Sequence, residues 1–528
     1  MPPNRSPRSV GRSYFRLRSF PAVGPGIAHS IADRLLWERL GGRATAAPAL
    51  GSGAGARQCP GQCPRQCPAV PGKGPGMNAT RDTRERWGSP LGFILATTGF
   101  SVGLGNIWRF PYLAGENGGG AFLLIYVLLA VLIGIPLFTA EISLGRRAQA
   151  TPLAGMRKLA GRSPFRAIGW LGVGAAFLIM SYYQLIMGWI AAYFVRAFRG
   201  GYDAGSVQAA ADSFAAFTAR PGEVLAYTIP VMVLAGLIIT RGLRRGIERA
   251  ARLLIPILFF FLIGLGIVSL RFDGAWEGVR WYLAPDFSAI GPETWLAALG
   301  QAFYSIGVGM MGAFVFGSFL HPRRSDIPGS AASIVACDTI AAVLAGFVMF
   351  PALFAFGMEP DQGAGLLFIT MAGLFGRLPA GEVAAAFFFF FVFIAGLTSC
   401  LALLEALTAS AMDSLGWSRR KSLWTVLGVL LLAGVPLALG GGPWAAVQIG
   451  GRGLFELADY VSGNIFLTVG GLAISLYVAF AWGFDRFRAE TNRGAGRFRV
   501  TAAWGPVMRF VVPVAVGLVV LAGLGLLG

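Results

Sequence analysis

Gly99-Phe-Ser-Val-Gly-Leu-Gly-Asn106 interrupts an apolar stretch that runs from about residue 90 to residue 113. Each glycine in a helix interior costs about 1 kcal/mol relative to alanine, and this run carries Gly99, Gly103 and Gly105. A second run of the same kind, Ser305-Ile-Gly-Val-Gly-Met-Met-Gly312, lies inside the apolar stretch 294–320. One glycine in such a stretch is most simply a close-packing residue. Two multiply broken runs are more specific. They predict discontinuous helices whose free backbone amides and carbonyls face ligands: amides toward an anion, carbonyls toward a cation.

Working outward, apolar stretches of about 20 residues or more, the length that crosses a hydrocarbon core, recur to the end of the chain. We place eleven, near 90–113, 119–144, 166–197, 222–241, 246–270, 294–320, 328–357, 382–411, 421–439, 454–483 and 508–528, and number them spans one to eleven. Only helices satisfy their own backbone over such lengths in lipid, so the expected fold is all-α and polytopic. The two broken runs fall in spans one and six. Their spacing predicts a five-plus-five inverted repeat, about 90–270 and 294–483, with 508–528 as an extra helix. Composition agrees: of 528 residues 55% are hydrophobic and 13% charged, with mean hydropathy +0.64. A soluble domain needs more charge to cover its surface.

The net charge of +19 could suggest nucleic acid, but it is distributed as a topology signal. Arg146, Arg147, Arg157, Lys158, Arg162 and Arg166 fill one inter-span segment without an acid. Arg241, Arg244, Arg245, Arg249 and Arg252 crowd another, and further basic groups follow spans six, eight and ten. The alternate segments are neutral or acidic. Basic segments stay in the cytoplasm, which predicts a cytoplasmic N-terminus, an external C-terminus and no nucleic-acid partner.

Residues 1–76 differ from the rest. They hold eleven Lys/Arg against two Asp/Glu, 11 − 2 = +9, and are rich in Pro and Gly. We expect a disordered extension or upstream translation, with Met77 opening the membrane domain 77–528. Cys59, Cys63 and Cys67 lie there, each followed by Pro; they lack the fourth ligand of a zinc site. With only His29 and His321, both isolated, no metal-dependent or histidine-based enzyme chemistry is expected. Within the spans the informative polar residues are Asn106, Ser305, Asp338, Thr398 and Ser399. A carboxylate at mid-span costs roughly 2.5–3.5 kcal/mol on insertion scales unless it is partnered.

RERWGSPLGFILATTGFSVGLGNIWRFPYLAGENGGGAF (84–122), GIER (246–249), GQAFYSIGVG (300–309) and AGLTS (395–399) together resemble the neurotransmitter:sodium symporters, in particular their bacterial leucine and hydrophobic amino-acid transporters. The resemblance runs from about residue 84 to the end. It implies a multi-pass transporter of the bacterial plasma membrane that couples two sodium ions to amino-acid uptake by alternating access. It also implies site residues. A first sodium site resembles the Ser101 carbonyl with Asn106, Ser305 and Asp338; a second resembles the Gly99 and Val102 carbonyls with Ala395, Thr398 and Ser399. Amino-acid contacts match Leu104, Gly105, Tyr183, Tyr304 and Gly307, with Met310, Ser399 and Leu403 lining the side-chain pocket. Arg109 and Asp459 match an outer gate pair, Arg84 and Asp413 an inner pair beside Trp87. Gly246 and Pro256 match a G-x9-P unwinding motif in span five.

Departures from the family sharpen the expectation. Gly103 stands where monoamine members carry an acid, which favours a substrate bringing its own carboxylate. The alignment through span seven leaves Cys337 and Asp338 as alternatives at the sodium site; Asp338 is the better oxygen ligand. Of the chloride ligands, Tyr126, Gln301 and Ser305 are present but Ala342 replaces a serine. Asp338 then supplies the negative charge, and chloride independence is expected. Gly307, Gly309 and the adaptable Met310 predict a roomy pocket for Leu, Ile, Met, Phe, Tyr or Trp. The competing readings are a sodium-independent or proton-coupled carrier and a non-transporting sensor on the same fold. Oligomeric state is left open.

Overall fold

The computed structural model describes residues 85–199, 207–358, 367–376, 378, 380–523 and 526. The extension 1–76, with its three cysteines, lies outside them, as does Arg84. Among the described residues the regular structure is helical apart from one two-stranded hairpin, Gln448–Ile449 against Arg452–Gly453, and an isolated bridge between Gly119 and Pro285. Nine helices are long and apolar enough to cross a membrane, and the pair Pro90–Ser101 and Gly105–Glu116 adds a tenth, bent by 49° at its break. Span six is a second broken pair, Pro292–Ile306 and Gly312–Ser318, each half too short to span alone. The arrangement is consistent with the eleven expected spans.

The breaks have local causes. In span one the helix ends at Ser101, and Val102 swings to an extended conformation (φ −73°, ψ 106°). The chain re-enters as a π-helical turn over Gly105–Arg109. In span six Gly307 (φ +77°), Gly309 (φ +90°) and Met311 (φ +59°) are all left-handed, which no continuous helix accommodates. The next π turn of note, Leu243–Glu248, opens span five and contains Gly246, with Pro256 inside the helix that follows.

The packing is inverted relative to a soluble protein. Large apolar side chains face outward: Phe260 is 73% exposed and Leu432 72%. The polar groups of the spans turn inward; Asn106, Glu141, Ser305, Asp338, Thr398, Ser399 and Glu405 are all buried. In hydrocarbon that is the only inexpensive place for them. Span eight, Gly381–Leu415, is the most deeply buried of the long helices; it lies along span three, Ile168–Ala197, and against the first half of span one. The two breaks therefore meet in the middle of the bundle, walled by spans three and eight.

Candidate functional site

Asn106 stands in the first turn of span one's second half, and its amide ties three spans together. Asn106 Nδ2 donates to Ser305 Oγ (2.8 Å), to the Asp338 carbonyl (2.9 Å) and to Asp338 Oδ1 (2.9 Å). Its Oδ1 accepts the Gly103 N–H at 3.0 Å, which pins the break itself. Ser305 donates to Asp338 Oδ2 at 2.8 Å, and the Tyr126 hydroxyl reaches the same oxygen at 3.3 Å. Ser101 Oγ donates to the Ile306 carbonyl at 3.1 Å, joining the two breaks directly. Three of the expected residues, Asn106, Ser305 and Asp338, thus form one hydrogen-bonded, oxygen-rich cluster, and Ser101 stands next to it through the Ile306 carbonyl rather than through a contact with any of the three. Asp338 faces it and is fully buried; its neighbour Cys337 is only partly buried.

Of the second expected set, Ser399 reaches across to the Gly99 and Val102 carbonyls at the same break. Ser399 Oγ lies 3.1 Å from the Gly99 carbonyl oxygen and 3.3 Å from those of Phe100 and Val102. These carbonyls point out of span one because the break deprives them of intrahelical donors. Thr398 Oγ1 donates back to the Ala395 carbonyl at 2.8 Å, within span eight. Several oxygens with their negative ends turned to one point, in a buried site, favour a small hard cation.

Between the clusters lies a cavity of about 30 Å³. All the expected substrate contacts line it: Leu104, Gly105, Tyr183, Tyr304, Gly307, Met310, Ser399 and Leu403. Phe100 and Ile179 also line it; both are ordinary apolar residues in sequence and carried no signal. The cavity is not roomy, contrary to the expectation from Gly307 and Gly309. A Cβ on Gly307 would fall 2.6 Å from the Phe100 ring, and one on Gly309 would fall 2.4 Å from the Leu467 carbonyl. The glycines admit neighbouring groups instead of leaving space. A volume near that of one or two water molecules admits an amino acid only when the walls move apart. At Gly103 an added Cβ would meet Ser399 Oγ at 2.4 Å, so this packing leaves no room for the acid found there in monoamine carriers.

Glu141, from span two, is the residue the sequence reading passed over. Its Oε1 accepts the Gly309 N–H at 2.6 Å and so holds the break of span six. As the sole charge inside the apolar run 119–144 it was detectable by the cost of burying it.

At the expected outer gate, Arg109 does not form an ion pair with Asp459 in this conformation. It donates to Gln301 Oε1 at 2.9 Å and lies over the Tyr304 ring, 4.8 Å from its centroid. Gln301 in turn donates to the Gly105 carbonyl at 2.8 Å. Of the expected inner pair, Arg84 lies outside the described residues; Asp413 Oδ2 accepts the Thr151 N–H at 2.7 Å. Trp87, buried, donates its indole N–H to the Phe316 carbonyl at 2.9 Å, docking the approach to span one on the second half of span six. Two ion-paired groups reinforce that face. Glu85 meets Arg419 at 3.0 Å, and Arg419 meets the buried Glu405 at 2.7 Å. Glu248 accepts the Gly88 N–H at 2.8 Å and pairs with Arg252 at 2.6 Å.

Comparison with known proteins agrees with this arrangement. Residues 84–207 and 215–525 match the model of the sodium:neurotransmitter symporter family. An uncharacterized sodium-dependent transporter, YhdH of Bacillus subtilis (strain 168), is 38% identical over 84% of this chain and 98% of its own length. An uncharacterized sodium-dependent transporter of Haemophilus influenzae is 33% identical over 85% of this chain and 100% of its own length. Among solved structures, that of MhsT in complex with L-phenylalanine is similar with a TM-score of 0.76 at 37% identity, covering 83% of this chain and all of that one. With broken helices in spans one and six, a buried polar site between them and matches over most of its length, the chain is a transporter, not an enzyme, and belongs to the sodium:neurotransmitter symporter family.

Proposed function

We propose that this protein is a sodium-coupled importer of bulky hydrophobic L-amino acids. The observation that carries the reading is the juxtaposition of two oxygen clusters with one small cavity at the meeting of two helix breaks. The first sodium is assigned to the Ser101 carbonyl, Asn106, Ser305 and Asp338, completed by the substrate carboxylate. The second is assigned to Gly99, Val102, Ala395, Thr398 and Ser399. The substrate carboxylate docks on the Leu104–Gly105 amides and the Tyr183 hydroxyl; its side chain lies among Phe100, Ile179, Met310 and Leu403. The apolar character of those residues and the phenylalanine bound by MhsT support the substrate class.

In the cycle we infer, sodium at the second site ties span one to span eight. Substrate and the other sodium then bind at the breaks. Arg109, with Tyr304 and Asp459, closes the outer path, and release of Trp87, Arg84 and Asp413 opens the inner one, aided by unwinding between Gly246 and Pro256. Each ion crossing the full potential gains about 2.3 kcal/mol per 100 mV. Asp338 takes the place of a bound chloride. The transporting unit is 77–528, in a bacterial plasma membrane, with its N-terminus cytoplasmic and its C-terminus outside.

The deciding experiment is binding and uptake of the twenty amino acids by purified, reconstituted protein in sodium and in potassium. Phenylalanine, leucine and tryptophan should bind in sodium only. Equal binding in both salts would replace this reading with a sodium-independent carrier, and binding without flux would replace it with a sensor.

A further inference from the structure

Away from the breaks, the turn from span four into span five forms a cavity of about 390 Å³ whose polar lining is strongly one-sided. Arg86, Arg241, Arg244 and Arg245 line it against a single acid, Glu85. Arg241, Arg244 and Arg245 are exposed and make no ion pair among the described residues.

The turn is rigidly built. Gly242 is left-handed at φ +78°, the Leu243 N–H donates to Glu85 Oε2 at 2.7 Å, and Arg244 Nε donates to the Arg86 carbonyl at 2.7 Å. Glu85 is also held by Arg419 at 3.0 Å, so its charge is shared with a cation outside the cavity. What remains is a concave cluster of guanidinium groups, the fork geometry that suits phosphate oxygens.

Position favours a phosphate carried by lipid. The cavity sits at the ends of the two spans it connects, and both turn apolar side chains outward further along their length: Leu237 is 49% exposed and Leu253 62%. Acyl chains would lie along those residues while the headgroup enters the cavity. A basic pocket at the cytoplasmic ends of spans is the arrangement that recognises anionic headgroups.

We propose that this cavity binds the phosphate of an anionic phospholipid from the inner leaflet. Through Leu243 and Glu85 the occupied turn would steady the segment that leads into span one, so lipid composition would bias the inner face toward its closed form.

The test is native mass spectrometry of the full chain in detergent, titrated with phosphatidylglycerol or phosphatidylcholine of the same acyl chains. Phosphatidylglycerol should be retained in preference to phosphatidylcholine. The double variant R241Q/R245Q should weaken its binding about 25-fold, a factor of about five for each basic residue. Arg244 is spared because it also ties the Arg86 carbonyl. The control R157Q/K158Q removes equal charge from another basic segment and should bind as the parent does. Equal loss in control and double variant, or no loss in either, overturns the proposal. So does full displacement of the lipid by millimolar inorganic phosphate, which would make free phosphate the ligand. A thermal melt establishes that the double variant is folded; if it is not, R245Q alone carries the comparison, with about a fivefold loss expected.

Discussion

Ser305 donates its hydroxyl to Asp338 Oδ2 at 2.8 Å, across the contact between spans six and seven. Tyr126 offers a second hydroxyl to the same oxygen at 3.3 Å. A carboxylate oxygen thus occupies the focus of two hydroxyl groups that would otherwise be available to an anion. Sodium-driven uptake should therefore be unchanged when chloride is replaced by gluconate. Asp338→Asn keeps the size of the side chain and removes its charge. It should raise the sodium concentration for half-maximal binding at least tenfold, about 1.4 kcal/mol, read by sodium-dependent phenylalanine binding. Wild-type uptake that stops in gluconate would refute the substitution of carboxylate for chloride.

Ser399 Oγ lies within hydrogen-bonding distance of three span-one carbonyls at once. Removing its hydroxyl leaves those carbonyls facing one another without an intervening donor or ligand. Ser399→Ala should lower sodium affinity about fivefold to tenfold, equivalent to about 1–1.4 kcal/mol. The effect should appear in sodium binding measured without amino acid. Unaltered sodium binding would mean that the second cation does not sit between spans one and eight.

Much of this architecture was legible because lipid leaves few solutions. Long apolar runs can only be helices, and the glycine clusters at 99–106 and 305–312 stood out against them. Asp338 could be read in the same way, as an acid too costly to leave unpartnered. Glu141 obeys the identical rule, yet it went unread because no broken segment or motif lay beside it in sequence; its partner, the Gly309 amide, is 168 positions away. Pocket volume was misjudged for a different reason. A glycine shows what is missing from its own residue, and only the folded chain shows that the Phe100 ring has moved into the space at Gly307. The gate contacts were legible as residue types but not as pairings, because Arg109 has three candidate partners within reach and the conformation selects among them.

The Gly307–Phe100 contact can be tested directly. Alanine at 307 would adopt φ +77° at a cost of about 1–2 kcal/mol and would press its Cβ on the ring at 2.6 Å. Gly307→Ala should lower the melting temperature and abolish high-affinity phenylalanine binding. Adding Phe100→Leu relieves the clash while keeping an apolar pocket wall, so binding should recover in part while the melting temperature remains below that of the parent. Full recovery of both would mean that the left-handed backbone contributes nothing. No recovery of either would mean that Phe100 is not what fills the space.

The outer gate yields the remaining prediction. Arg109 is engaged by Gln301 and Tyr304, and the exposed Asp459 lies within range of its charge but makes no direct ion pair with it in this conformation. If closure over bound amino acid brings the two charges together, their coupling belongs to the closed state and should govern release. Arg109→Gln and Asp459→Asn should each speed phenylalanine dissociation toward the outside about tenfold, equivalent to about 1.4 kcal/mol. The double variant should be no faster than the faster single, because residues that act through one contact are not additive. Dissociation rates that multiply would show that the two residues act separately, leaving the Arg109–Gln301–Gly105 chain of hydrogen bonds as the element that closes span one over the site.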